Sequence, residues 1–299
     1  MSTFYSHGKL LISGEYAVLD GAKALALPTK LGQSLRVTSI NNSEIHWKSF
    51  DHQGKLWFET TFQYPDFIPT NRSEIAKRLS DCFKAIAKMQ PDCFEHNPGF
   101  EMVSTLEFPK NWGLGSSSTL INNLAQWAKI DAFKLLKKTF GGSGYDIACA
   151  QNSHPIVYQK QSDNPVVSGV TFDPPFKDNL YFVYRNKKQN SREAIAAYNA
   201  LKNSKKNHYS EINSITDALL HTTALDEFET LITKHETIIG QLIQQPPLKS
   251  THFPDYGGAI KSLGAWGGDF FLATGQNSDI QYFTEKGYDT IVPFEMMVL

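Results

Sequence analysis

The chain has 299 residues, 41% hydrophobic and 20% charged, with a formal net charge of −1: a globular composition, long enough for one large or two ordinary domains. The near-neutral balance argues against nucleic-acid or membrane-surface partners, so any attraction for phosphate has to be local. Cys82, Cys93 and Cys149 lack metal-site spacing, the start carries no signal-peptide pattern, and no apolar run reaches the roughly 18 residues of a membrane span, so a cytoplasmic protein with free thiols is expected, as monomer or homodimer.

In chain order, Gly8-Lys9-Leu10-Leu11-Ile12-Ser13-Gly14-Glu15-Tyr16-Ala17-Val18-Leu19-Asp20-Gly21 opens with a buried strand at 10–12. Asp20-Gly21 reads as a hairpin turn and 22–27 as the returning strand. Further strands are expected at 31–40 and 44–50. Asn71 or Ser73 can cap a helix whose apolar face is Ile75, Leu79, Cys82, Phe83 and Ile86. Phe100, Met102, Leu106 and Phe108 form a half-buried strand that leads into Pro109-Lys110-Asn111-Trp112-Gly113-Leu114-Gly115-Ser116-Ser117-Ser118. Leu120, Ile121, Leu124, Trp127 and Ala128 then mark one helical face. Gly142-Ser143-Gly144-Tyr145-Asp146-Ile147-Ala148 places one acid between glycines and a small-residue run, and 156–158 is the last strand of this half.

Asp163-Asn164-Pro165 and Asp173-Pro174-Pro175 punctuate the chain, so two domains, 1–170 and 171–299, are expected. The second opens with a strand at 180–184 and helices at 191–202 and 208–221. A long helix at 225–244 carries Phe228, Leu231, Ile232, His235, Ile238, Ile239 and Leu242 on one face and stops at Pro246-Pro247. Gly264-Ala265-Trp266-Gly267-Gly268-Asp269-Phe270 precedes a strand at 270–273, and 290–298 is read as the closing strand. Strands and helices in this mixed order give an α+β fold rather than a doubly wound sheet.

The segment 109–118 carries the most chemistry. Its glycines permit close backbone approach to a ligand, and three hydroxyls stand where a helix begins. A helix N-terminus presents unpaired N–H groups and a positive dipole end to an anion, and a serine hydroxyl there can reach a phosphate-bound magnesium. Neither G-x-x-x-x-G-K-[ST] nor a strand-to-helix G-x-G-x-x-G is present. Alone, the segment reads equally as a serine cap after an ordinary loop. Its three glycine-rich companions, at 8–21, 142–148 and 264–270, shift the balance to a nucleotide site.

Together these segments resemble the GHMP kinases, the superfamily of galactokinase, homoserine, mevalonate and phosphomevalonate kinases, from Lys9 to about Ala273. Gly8–Gly21 is similar to the first family motif, Pro109–Ser118 to the second and Gly264–Asp269 to the third. Gly-Glu-Tyr-Ala-Val-Leu-Asp-Gly resembles the mevalonate and phosphomevalonate branches rather than galactokinases. The resemblance implies a ribosomal-S5-like N-terminal domain, a ferredoxin-like C-terminal domain, and phosphoryl transfer from Mg-ATP to a small mevalonate- or phosphomevalonate-like acceptor in isoprenoid biosynthesis. A diphosphomevalonate decarboxylase, a sugar kinase and a non-catalytic ligand sensor are the alternatives.

By the same resemblance, Gly113, Leu114, Gly115, Ser116, Ser117 and Ser118 bind the phosphates of ATP, with Ser117 on Mg2+. Asp146 accepts or orients the proton of the substrate hydroxyl, and Lys9 pairs with this acid. Gly264, Ala265 and Gly267 steady the loop and acceptor, and Arg192, with Lys187, Lys188 and Arg185, is the candidate for an acceptor phosphate. Mevalonate kinases carry a magnesium-holding glutamate between the second motif and the catalytic aspartate. Here the only acid from Thr119 to Tyr145 is Asp131. Either Asp131 substitutes or Ser117, phosphates and water suffice. His7 in place of the family proline and the bulky Trp266 are expected to narrow the cleft. Glu15 is expected to make local hydrogen bonds, His235 to be a hydrogen-bonded core or cleft histidine, and Asp269 either to cap a loop or to touch substrate.

Overall fold

The computed structural model describes residues 1–95, 99–161, 164–187, 189, 191–201, 206–266 and 268–299, with the side chains of residues 95, 191, 192, 206 and 207 outside that description. The chain divides into two compact units that are interleaved in sequence. Unit one is Met1–Gly8, Leu31–Lys110 and Leu114–Gln151; unit two is Lys9–Lys30, Asn111–Gly113 and Asn152–Leu299. Helices and two mainly antiparallel sheets make the fold α+β. Among the described residues no helix is long and apolar enough to cross a membrane.

Strand β1 (Ser2–Leu11) pairs with β2 (Lys23–Ser39). The tight hairpin expected at Asp20-Gly21 is replaced by a wider connection. Ala17–Asp20 form a 3₁₀ turn, which Gly21 closes in the left-handed region at φ 96°. The strands expected at 22–27 and 31–40 are one continuous strand of 17 residues, β2.

In unit one, β3 (Glu44–Phe50), β4 (Leu56–Gln63) and β5 (Ile68–Pro69) form an antiparallel ribbon. Sequence reading passes over β4 because its buried face, Phe58, Thr60 and Phe62, includes a hydroxyl residue that breaks the apolar alternation. Helix α1 (Glu74–Met89) starts where the Ser73 hydroxyl accepts from Ala76 N at 3.2 Å, as an N-cap should. After α2 (Asp92–Glu95), β6 (Phe100–Leu106) lies parallel to β3 and antiparallel to the Gln33–Ser39 half of β2. Helices α3 (Ser116–Ala128), α4 (Ala132–Thr139) and α5 (Tyr145–Ala150) follow. The core centres on Phe83 of α1, which meets Trp47 and Phe62 edge to face with ring centroids 6.1 and 5.1 Å away.

In unit two, β7 (Ile156–Gln159) pairs with Lys23–Ala26 of β2, and β8 (Val166–Gly169) pairs with β7. Strand β9 (Leu180–Tyr184) begins a second sheet and precedes α6 (Ser191–Ala200), α7 (Lys206–Leu219), α8 (Leu225–Ile243) and α9 (Leu248–His252). Then come β10 (Ile260–Ser262), β11 (Phe270–Thr274), α10 (Asn277–Glu285), β12 (Ile291–Pro293) and α11 (Phe294–Met297). The sheet order is β10-β11-β9-β12, antiparallel throughout, and every residue of β9 and β11 is buried. The closing strand expected over 290–298 ends at Pro293. One helical turn then buries Phe294 and Met297 three residues apart, and Val298 bridges to Thr29.

Phe83 is fully buried and edge-packed on two aromatic rings. Phe83→Ala should therefore destabilise the protein by about 3–5 kcal/mol, read from the midpoint of urea unfolding. A loss below about 1 kcal/mol would mean that this core closes over the cavity.

Candidate functional site

The glycine-rich segment 109–118 turns sharply into α3. Gly113 and Gly115 have φ of 69° and 89°, a region that only glycine enters without strain. Gly115 is the N-cap, and no side chain caps the helix. The serine-cap reading is thereby replaced: Ser116, Ser117 and Ser118 are the first turn itself. Ser117 is exposed, Ser116 half-buried and Ser118 buried, while the Leu114 side chain is 1% exposed, which leaves its backbone for any ligand. The uncapped first turn keeps the positive end of the α3 dipole available to an anion.

Asp146 stands in the first turn of α5, next to α3 in the same unit. Ser118 Oγ donates to Asp146 Oδ2 at 3.4 Å. The other carboxylate oxygen, Oδ1, is buried with no hydrogen-bond partner among the described residues. A buried acceptor lacking a donor is costly and marks where a proton-bearing group fits.

Unit two holds the companion residues. Lys9 Nζ donates to the Gly113 carbonyl at 3.0 Å, and a Cβ built on Gly264 would lie 4.0 Å from the same ammonium. A Cβ on Gly113 would stand 2.2 Å from Asp269 Cγ, so that glycine is required on steric grounds also. Asp269, itself at φ 54°, is a junction residue. Its N–H donates to Lys187 O at 2.7 Å, its carbonyl accepts from Arg185 N at 2.8 Å, and Oδ1 accepts from Gln189 N at 3.2 Å. Ala265 O accepts from the Tyr16 hydroxyl at 2.7 Å, tying the 264–270 loop to the 8–21 segment. Gly267, Lys188 and the Arg192 side chain lie outside the described residues; Arg192 belongs to α6.

With this geometry in view, solved structures align over almost the whole chain. The Streptococcus pneumoniae phosphomevalonate kinase in complex with phosphomevalonate and AMPPNP matches at TM-score 0.71 and 15% identity, covering 96% of each chain. The Methanococcus jannaschii mevalonate kinase matches at TM-score 0.69 and 17% identity, covering 97% of this chain and 96% of that one. The fold is that of the GHMP kinases. The Lactococcus lactis galactokinase complexed with galactose shares it at TM-score 0.67 and 14% identity, over 95% of this chain and 87% of its own. No family model and no curated protein matches the sequence.

Three residues of this GHMP kinase fold have surroundings that the sequence did not show. Asp131 is the N-cap of α4, with Oδ1 accepting from Phe133 N at 2.8 Å and Lys134 N at 3.1 Å. Among the described residues no group of three or more His, Cys, Asp or Glu could hold a metal ion. Trp266 is buried, and its ring lies where a Cβ on Gly240 of α8 would touch it at 3.5 Å; the ring fills the interior of unit two. Glu15 reaches beyond its own segment. Its Oε1 pairs with Lys261 Nζ, 246 residues away, and both side chains are fully buried.

Sequence reading missed Lys261, although a lysine inside the apolar run 259–263 was the available signal. Burial pushes the Glu15 carboxyl up to about 7, with Lys261 pulling the other way. His235 is the core histidine expected: it is fully buried, and its Nε2 accepts from Gly14 N at 2.9 Å. Accepting at Nε2 requires a neutral ring, and burial, then the Lys261 charge, holds its pKa well below 6.5.

Two predictions follow from these contacts. Gly113→Ala should strain the backbone and displace Asp269, lowering Tm by several degrees and losing the Lys9 contact. An unchanged melt would show that the turn relaxes freely. Because His235 stays neutral in the folded state but takes a proton near pH 6.5 when unfolded, the unfolded state binds more protons below that pH. His235 should therefore contribute a loss of stability as pH drops through 6.5 toward 5, up to about 1.4 kcal/mol per pH unit, opposed over the same range by Glu15, whose raised pKa of about 7 gives the folded state the extra proton. His235→Gln, which retains an acceptor, should remove that contribution from the urea-stability profile. Parallel profiles would assign the slope to other groups.

Proposed function

We propose that the chain is an ATP-dependent small-molecule kinase. It transfers the γ-phosphoryl group of Mg-ATP to a hydroxyl of a mevalonate- or phosphomevalonate-like acceptor. The observation that carries this reading is the buried, partnerless Oδ1 of Asp146, placed beside the uncapped, serine-lined first turn of α3. An anion cradle alone would suit a binding protein; the free carboxylate oxygen beside it suits a reaction that releases a proton.

Phosphoryl transfer demands alignment and charge neutralisation more than covalent chemistry from the protein. The backbone N–H groups of Gly115, Ser116 and Ser117 would hold phosphate oxygens, and the exposed Ser117 hydroxyl would be the protein's ligand to nucleotide-bound magnesium. When bound, magnesium would supply charge neutralisation, held by the Ser117 hydroxyl with phosphates and water, or with Asp131 as well. Asp146 takes the acceptor's hydroxyl proton as the oxygen bonds to phosphorus and ADP leaves. The Lys9 ammonium offsets the negative charge that gathers on the transferring group. Arg192, Lys187 and Arg185 are the cationic candidates for an acceptor phosphate.

Mg-ATP at one hundred times its dissociation constant should stabilise the fold by roughly 2.7 kcal/mol, visible as a higher Tm. Coupled ADP release over mevalonate, phosphomevalonate, homoserine, galactose and other sugars should identify the acceptor. On that acceptor, Asp146→Asn should reduce kcat by about 10²–10⁴ with little change in nucleotide affinity. A melt unmoved by Mg-ATP would exclude the nucleotide site, and near-normal turnover of Asp146→Asn would exclude the base.

A further inference from the structure

Between the 8–21 segment and the 264–270 loop, unit two buries four ionisable side chains: Glu15, His235 and Lys261 at 0% exposure and Glu236 at 2%. Each has a directed contact. Lys261 Nζ donates to Glu15 Oε1 and, at 2.8 Å, to the carbonyl of Ser262. Glu236 accepts from Ser262 Oγ at 2.7 Å, Ser262 N at 3.0 Å and Leu248 N at 3.3 Å. His235 Nε2 holds Gly14 N and stands 3.6 Å from the second oxygen of Glu15. Gly14 has no room to move: at φ 87°, its Cβ position lies 2.5 Å from Lys23 O.

Burying ions costs several kcal/mol each, and an apolar replacement of a buried pair is often at least as stable. Stability alone therefore does not explain the cluster, whereas geometry does. Its contacts fall on Gly14-Glu15 from one segment and on Lys261-Ser262 from the other, and the Tyr16–Ala265 hydrogen bond continues the same seam. Gly264, two residues beyond Ser262, is the backbone that faces Lys9 Nζ, which in turn holds Gly113 O. An ion pair of fixed geometry sets a register that interchangeable apolar contacts leave loose.

We propose that Glu15 and Lys261, with His235, are positioning residues: their buried contacts fix the 264–270 loop in register with the 8–21 segment and thereby place Gly264 against Lys9. The consequence for turnover rests on the kinase reading; the register itself does not.

Lys261→Met alone strands a buried carboxylate and risks misfolding, so the informative protein is the neutral pair Glu15→Gln/Lys261→Met. Hydrogen exchange on the full chain gives the first readout. In the double variant, the amides of Gly14, Val18 and Ser262, all hydrogen-bonded here, should exchange at least tenfold faster, while those of β9 and β11 keep their rates. Unchanged exchange at Gly14, Val18 and Ser262, or acceleration spread evenly over unit two, would overturn the positioning role in favour of bulk stabilisation. The second readout is ADP release on the acceptor found for the wild type. A kcat at least tenfold lower with KM for Mg-ATP within about threefold is expected; a raised KM with unchanged kcat would overturn the link to Lys9. If the wild type proves not to turn over ATP, the kinase reading fails and the exchange experiment still decides the positioning one.

Discussion

A single buried charge pair, Glu15 with Lys261, sets the terms on which unit two is built. A carboxylate and an ammonium withdrawn from water must find each other, or the fold loses far more than the pair returns; here the second oxygen of Glu15 stays without a hydrogen-bond partner among the described residues. That demand reaches outward in order. Lys261 also donates to the carbonyl of Ser262, Ser262 donates to Glu236, and Glu236 receives the N–H that opens α9. On the other side the carboxylate belongs to a segment in which Gly14 donates to His235 and Tyr16 reaches Ala265. The glycine loops that first attract attention are thus the visible ends of a buried polar framework.

The candidate phosphate loop follows a different logic. Its residues are defined by what they withhold: Gly115 offers no side-chain cap, and Gly113 offers no Cβ to collide with Asp269. Three serines in a first turn are modest helix formers, and the turn gains its worth from the donors left open rather than from local stability. Asp146 completes the pattern by keeping one oxygen unsatisfied.

Legibility in the sequence divided along the range of the interactions. The α+β class, α1 with its Ser73 cap, the start of α3 and the span of α8 depend on contacts a few residues apart, and all were readable. The motif pattern pointed to the GHMP kinase fold, which the solved structures bear out. What escaped was non-local. Strand β4 is amphipathic only beside its neighbours, and the C-terminal strand becomes a helical turn because Phe294 and Met297 find the interior that way. The Lys261 partner of Glu15 escaped because nothing near Glu15 in the sequence announces it. The capping role of Asp131 is announced only by α4 starting where it does.

Interleaving of the two units has a consequence for biosynthesis. On the ribosome the N-terminal end emerges first, so Glu15 leaves the exit tunnel 246 residues ahead of its cation. At about 5–20 residues per second that is a wait on the order of 10–50 s. Through that interval residues 9–30 lack the segment 152–299 that completes their unit, and the apolar stretch Leu10–Ile12 has no permanent cover. Unit two can close only after the segment 152–299 has been made.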